Sequence, residues 1–218
     1  MTTAIAALLA LCAPALAQVA GRADAPAEKV RVACVGDSIT YGSAVEKRDQ
    51  NCYPVVLGNL LGPSHEVRNF GVSGATLLKK GDKPYWKEKA FQLAGDFGPN
   101  IIILKLGTND TKPQNWKYKD EFEADARALV QHFKALPSRP KVFLALPVAV
   151  VKSSFGIVEE GIQAEIPLLK KVAKEEGVAV IDLHAAVATK ELFVGDGVHP
   201  NVAGAKKIAE TINAALRK

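Results

Sequence analysis

The sequence predicts an α/β protein, a three-layer α/β/α sandwich around a parallel, five-stranded sheet. Short apolar runs recur along the chain, and the clearest of them end at a glycine. Amphipathic helical patterns lie between the runs. The runs are apolar throughout rather than alternating, as strands are when helices cover both faces of a parallel sheet.

Taken in order, the first 21 residues carry no charged side chain, and Ala4 to Leu16 is almost wholly apolar before Ala15-Leu16-Ala17. This reads as a secretory signal peptide over residues 1–17 with an A-x-A cleavage site, although its first residues lack Lys or Arg. The apolar run is shorter than a bilayer requires, so no membrane span is expected. Residues 18–28, rich in Ala, Gly and Pro, read as a linker, and 29–218 as a single domain. Export would place the chain outside the cell or in the periplasm.

Val30 to Gly36 is the first strand pattern, and Ile101 to Gly107 repeats its design. Glu66 to Phe70, the weakest, Lys141 to Leu146 and Val178 to Leu183 complete the five. Phe122, Ala126, Leu129, Phe133 and Leu136 recur at helical spacing, as do Val202, Ala205, Ile208 and Ile212. From Pro147 to Ile166 no period holds, which predicts a loop or short helical insertion. Pro167 should then start or kink the helix that follows, and Pro200 should open the terminal helix. Alternating strands and helices imply right-handed crossovers, with function gathered at the carboxyl edge of the sheet.

At 218 residues and 48% hydrophobic, the chain can build one sizeable core. The net charge of +5 is spread among interspersed acids and bases, unlike the clustered positive charge of a nucleic-acid-binding protein. Of three cysteines, Cys12 lies in the leader. Cys34 sits in a strand pattern that favours a buried free thiol over a disulfide with Cys52. No His, Cys and carboxylate cluster has metal-ligand spacing, so neither a metal nor another cofactor is expected.

Gly36-Asp37-Ser38-Ile39-Thr40 follows the first strand directly, so Ser38 falls where a helix would begin. A hydroxyl there can reach a substrate, though a Ser at such a point is commonly an N-cap. Asn69-Phe70-Gly71-Val72-Ser73-Gly74 follows the second strand, and Gly74 can bring a backbone N–H close to a ligand or simply serve a turn. Gly107-Thr108-Asn109-Asp110 follows the third, where Asn109 suits either an oxyanion donor or a turn. Asp196 and His199 stand three residues apart in Gly195-Asp196-Gly197-Val198-His199-Pro200, before the last helix. Serine acyl transfer requires this inventory of nucleophile, imidazole, orienting carboxylate and oxyanion donors.

The four blocks Gly36 to Thr40, Ser73 to Thr76, Gly107 to Asp110 and Asp196 to His199 resemble those of the SGNH, or GDSL-type, hydrolase family. Ile39 stands where the family name has Leu, a conservative apolar change. The resemblance implies a flavodoxin-like SGNH fold with Ser38 as nucleophile, His199 as base and Asp196 as its partner. It also implies an oxyanion hole made by the Ser38 and Gly74 N–H groups and the Asn109 side chain. Asp37 and Asp110 read as structural acids capping turns or helices, and His65, His132 and His184 as surface or packing residues. A rival arrangement takes Ser73 as nucleophile in Gly71-Val72-Ser73-Gly74-Ala75, a near match to the G-x-S-x-G elbow whose final glycine is Ala.

Thr111 to Tyr118 continues the third block with a polar stretch containing Trp116, which either stacks on a sugar ring or covers the core. The continuation resembles exported sialate O-acetylesterase-like or acetylxylan-esterase-like members of the family. This implies a small-molecule or oligosaccharide acyl ester as substrate and removal of O-acetyl groups from a carbohydrate. A lysophospholipase or thioesterase of the same family is the first alternative, with Val148 to Val151 supplying an apolar groove. A non-catalytic carbohydrate-binding protein is the alternative from another class.

Overall fold

The computed structural model describes residues 28–217. The expected signal peptide and nearly all of the linker lie outside these residues. Five strands form one parallel sheet in the order β2-β1-β3-β4-β5: β1 (Val30–Gly36), β2 (His65–Gly71), β3 (Ile101–Lys105), β4 (Lys141–Ala145) and β5 (Ala179–Ile181). The helices are α1 (Ser38–Tyr41), α2 (Arg48–Asn51), α3 (Tyr53–Leu61), α4 (Lys89–Asp96), α5 (Pro113–Trp116), α6 (Phe122–Lys134), α7 (Glu159–Glu176), α8 (Leu183–Ala186) and α9 (Val202–Leu216). The order is the flavodoxin-like one, which reverses direction beside β1 and opens a crevice between β1 and β3 at their carboxyl ends.

The period-two geometry of the strands divides their side chains between two cores. Ala33, Val35, Ile102, Leu104, Val142 and Leu144 face one side, where α6 and α7 contribute Phe122, Leu129, Phe133, Leu169 and Val172. Val32, Cys34, Ile103, Phe143 and Ala145 face the other, against Tyr53 and Leu57 of α3 and Ile208 and Ile212 of α9. These are the three layers the apolar runs predict. Each fully buried aliphatic side chain contributes about 1.5–3 kcal/mol, so the central strands supply most of the sheet's apolar stabilisation. The edge strands β2 and β5 keep half-buried and exposed positions, and the period is correspondingly harder to read there.

Two local expectations change. The aperiodic stretch after β4 ends at Val158 rather than Ile166, because α7 already begins at Glu159 and runs through Pro167. Loss of one N–H is tolerated there because the helix buries Ile162, Leu169 and Val172 on either side of the proline. Pro200 precedes the terminal helix rather than opening it. Asn201 is the N-cap of α9, its side chain accepting from the Gly204 N–H at 3.0 Å. Cys34 and Cys52 are both buried and free. Among the described residues no helix is long and apolar enough to cross a membrane.

Candidate active site

Ser38 is the first residue of α1, directly after β1, and the cap of that helix is Asp37, whose carboxylate accepts from the Ile39 N–H at 2.9 Å. With Asp37 as the cap, the Ser38 hydroxyl is left for other work. Gly71 permits α1 to lie against the end of β2, since a Cβ there would come within 2.1 Å of the Tyr41 backbone nitrogen. The turn between β1 and α1 therefore holds Ser38 at the mouth of the crevice.

His199 reaches the same point from the other end of the chain. Its Nε2 lies 3.0 Å from Ser38 Oγ, and its Nδ1 lies 2.8 Å from Asp196 Oδ2. The other carboxylate oxygen, Asp196 Oδ1, accepts from the Val198 and His199 N–H groups at 2.8 and 2.9 Å. Partial burial raises the Asp196 pKa, but these hydrogen bonds and the adjacent imidazole outweigh it and hold the carboxyl below its ordinary range. An ionised carboxylate only accepts, so the imidazole carries its proton on Nδ1 and leaves Nε2 to accept from the Ser38 hydroxyl. A hydroxyl, an imidazole and a carboxylate are thus linked in one chain of hydrogen bonds, the arrangement that a nucleophile, its base and an orienting group require.

The cleft beside Ser38, of about 260 Å³, is also lined by Gly74, Asn109 and His199. Asn109 is almost fully buried, and its Nδ2 donates to the Ala75 carbonyl at 3.0 Å, which fixes the amide beside the Gly74 turn. The Ser38 and Gly74 N–H groups make no hydrogen bond to another described residue. The structure therefore brings together Ser38, Gly74, Asn109, Asp196 and His199, although they come from four separate loops. An aligned Ser, His and Asp beside backbone and amide donors has the inventory to form and stabilise a tetrahedral oxyanion.

Other expected residues lie elsewhere. Ser73 is exposed beside the cleft, but its hydroxyl pairs with Ser43 Oγ at 2.8 Å and no imidazole reaches it, so the rival elbow has no base. Trp116 ends α5 and packs against the core, edge-on to Phe122 with ring centroids 5.7 Å apart; it does not line the cleft. Of the expected groove residues Val148 to Val151, the first three are buried and the half-buried Val151 lines a separate small cleft beside Phe193, so none of them lines the cleft at Ser38. His65 pairs with Ser64, and His132 stacks on Phe91 at 4.4 Å, as packing residues do. His184 has a partner after all, Glu159 Oε1 at 2.7 Å, which ties α8 to the start of α7.

A second polar group lies sealed behind the cleft. Lys105 is fully buried, and its Nζ donates to both oxygens of Asp37 at 3.0 and 2.9 Å and to Thr108 Oγ1 at 3.0 Å. Asp110, also fully buried, accepts from the Leu77 and Leu78 N–H groups at 3.0 and 2.7 Å, pinning the loop after β2 to the loop after β3. Burial, with Asp37 nearby, outweighs those bonds and pushes its carboxyl up to about 7. Glu165 of α7 is fully buried with neither carboxyl oxygen hydrogen-bonded, and burial followed by the negative charge of Asp110 raises it well above the carboxylate range. Gly107 makes room for it, since a Cβ there would lie 2.3 Å from Glu165 Oε2. Sequence reasoning missed Lys105 and Glu165. The signal for the first is a lysine inside the apolar run Ile101 to Leu106, where a charge demands a buried partner.

Two further residues border the cleft. Ser154 and Ile157 form a one-pair antiparallel bridge, with hydrogen bonds of 3.3 Å from Ser154 N–H and 2.8 Å from Ile157 N–H. Between them Phe155 and Gly156 both have positive φ, 58° and 78°, the pattern of a type I′ turn. Such a conformation costs a bulky residue about 1–3 kcal/mol. The Phe155 ring is nonetheless 64% exposed and stands edge-on to His199 at 5.8 Å. A larger cleft, of about 890 Å³ between α4 and α6, contains none of these groups.

Known proteins resemble this chain in sequence and in fold. The chain is 41% identical over 209 residues to an acetylxylan esterase of Xylanibacter ruminicola, covering 87% of this chain and 44% of that one. It is 28% identical over 228 residues to a multidomain esterase of Ruminococcus flavefaciens, covering 88% and 29%. The chain thus spans less than half the length of either curated relative. Its fold resembles that of a carbohydrate acetylesterase from Sinorhizobium meliloti, with a TM-score of 0.73 at 19% identity over 87% of this chain and 99% of the other. The sequence model of the GDSL-like lipase/acylhydrolase family matches residues 34–207, most of the chain and all four blocks, and the protein belongs to that family.

Proposed function

We propose that the protein is a serine esterase that removes short acyl groups, chiefly O-acetyl, from a carbohydrate. The observation that carries the reading is the hydrogen-bonded series Asp196, His199, Ser38, opening on a cleft of about 260 Å³. Ser38 Oγ attacks the ester carbonyl as its proton passes to His199 Nε2. The oxyanion that forms takes hydrogen bonds from the Ser38 and Gly74 N–H groups and the Asn109 amide. The imidazolium of His199 then protonates the sugar oxygen as its bond to the acyl carbon breaks, so that the sugar leaves as an alcohol and an acyl-enzyme remains; the same imidazole activates the water that releases the acid.

Cleft size and kinship support an acetyl group over a long acyl chain. The space beside Ser38 is small, and the buried Val148 to Val150 do not extend it. The relative at 41% identity is an acetylxylan esterase. A panel of acetylated xylo-oligosaccharide, O-acetylated sialic acid and p-nitrophenyl esters from C2 to C12 tests the reading. Turnover is expected to be highest for acetyl esters, and a preference for C8 to C12 would overturn it in favour of a lipid hydrolase. We also infer that the chain is exported, on the charge-free apolar stretch before Ala17; a mature protein whose N-terminus retains Met1 would refute this.

A further inference from the structure

The geometry points to Phe155 as the platform on which the sugar of the substrate stacks, the role that Trp116 cannot fill from its place in the core. This rests on the carbohydrate reading above. The cleft is large enough for a small acyl group at Ser38, so the alcohol part of the ester must lie across the mouth. Phe155 is the large apolar side chain exposed there, and its position beside His199 puts it next to the group that protonates the leaving sugar oxygen.

Folding alone does not account for a phenylalanine at this position. A type I′ turn prefers Asn, Asp or Gly at its first central residue, and the exposed ring gains little burial in return for the positive φ. The turn is also firmly placed. Its neighbour Ile157 is buried with Val150, Ile162 and Val198, and Val198 adjoins His199, so one apolar cluster fixes both the turn and the histidine loop.

Besides Phe155 and Ile157, the lining of the cleft carries hydroxyl, amide and ammonium groups, among them those of Ser43, Ser73, Asn109 and Lys112. Ser43 and Ser73 line it from the loops after β1 and β2, while Phe155 comes from the segment after β4, across the crevice in the order of the sheet. A pyranose ring has an apolar C–H face and a rim of hydroxyls, and an aromatic surface facing hydroxyl-bearing side chains matches both. An acyl chain of a lipid would instead require continuous apolar walls.

Phe155→Asn separates the platform from the turn, because Asn-Gly is the favoured type I′ pair and should leave the fold at least as stable. The variant, Phe155→Trp and the unaltered protein are to be compared on acetylated xylo-oligosaccharide and on ethyl acetate, which has no ring to stack. In Phe155→Asn, kcat/KM for the oligosaccharide should fall about 3- to 10-fold while that for ethyl acetate stays within about twofold. Phe155→Trp should retain both activities. Equal losses on both substrates, or no loss on either, would overturn the platform. An unaltered protein that hydrolyses ethyl acetate but no sugar ester would instead remove the carbohydrate reading, and the platform with it.

Discussion

Two polar groups meet at the carboxyl edge of the sheet, and the chain alternates between them. Ser38 and Asn109 open on the cleft, while their sequence neighbours Asp37 and Asp110 are fully buried behind it. In the open group the side chains line a cleft where a substrate can sit. In the sealed group the same residue types fasten backbone: Asp37 caps α1 and binds Lys105, and Asp110 holds Leu77 and Leu78. Carboxylates a residue away from the reacting groups thus serve position, and what separates them from Asp196 is access to solvent and to an imidazole.

The largest expected effect breaks the open group. Ser38→Ala removes the nucleophile and should lower kcat by about four orders of magnitude or more, since triad members act as a unit. Its thermal stability should change by only about 1 kcal/mol, one modest hydrogen bond. Substantial esterase activity in this variant would remove the contrast between the two groups, because Ser38 would then be merely one more structural hydroxyl.

The next breaks the sealed group. Lys105→Met leaves the Asp37 carboxylate buried without its counter-charge, at a cost of about 3–5 kcal/mol. For a domain of this size each kcal/mol is about 2–4 °C, so the melting temperature should fall by roughly 10 °C. Adding Asp37→Asn should restore part of that loss, since the uncompensated charge disappears while an amide oxygen can still cap α1. A double variant no more stable than the single one would show that the pair does not act through its charges.

Legibility in the sequence follows the same division. The open group was readable because each of its residues lies within a few positions of a strand end and carries the residue type its chemistry needs. The central strands were readable because both faces are apolar, whereas β5 shrank to Ala179–Ile181 because its edge position leaves Val180 exposed. The start of α7 was obscured because Gly161 abuts Thr111 and Glu165 points behind Gly107, so that before Pro167 its fully buried positions include one large apolar side chain, Ile162, beside a small and a polar one. Phe155 was invisible because a type I′ turn is announced by Asn or Asp before Gly, and here the aromatic ring replaces that signal. Of the two roles open to Trp116 the structure shows the core-covering one, a choice that loop composition does not make because it does not tell which way an indole turns.

The smallest effect sharpens the comparison inside the sealed group. Asp37 already balances Lys105, so a further ionised carboxylate there lacks compensation, and Glu165, with no hydrogen-bond partner, keeps its proton. Its folded-state pKa is raised, so from the ordinary glutamate value upward the native state binds more protons than the unfolded state. Stability attributable to Glu165 is therefore complete below that value and declines as pH rises toward the folded-state pKa. Glu165→Gln is neutral at every pH and escapes the decline. It should match the unaltered protein at pH 4 and become the more stable of the two by about 1 kcal/mol or more at pH 8, one pKa unit being worth about 1.4 kcal/mol. Denaturant unfolding of both proteins at the two pH values measures the difference. A gap that stays constant with pH would mean that Glu165 is ionised in the native state, and that the sealed group holds more charge than Lys105 balances.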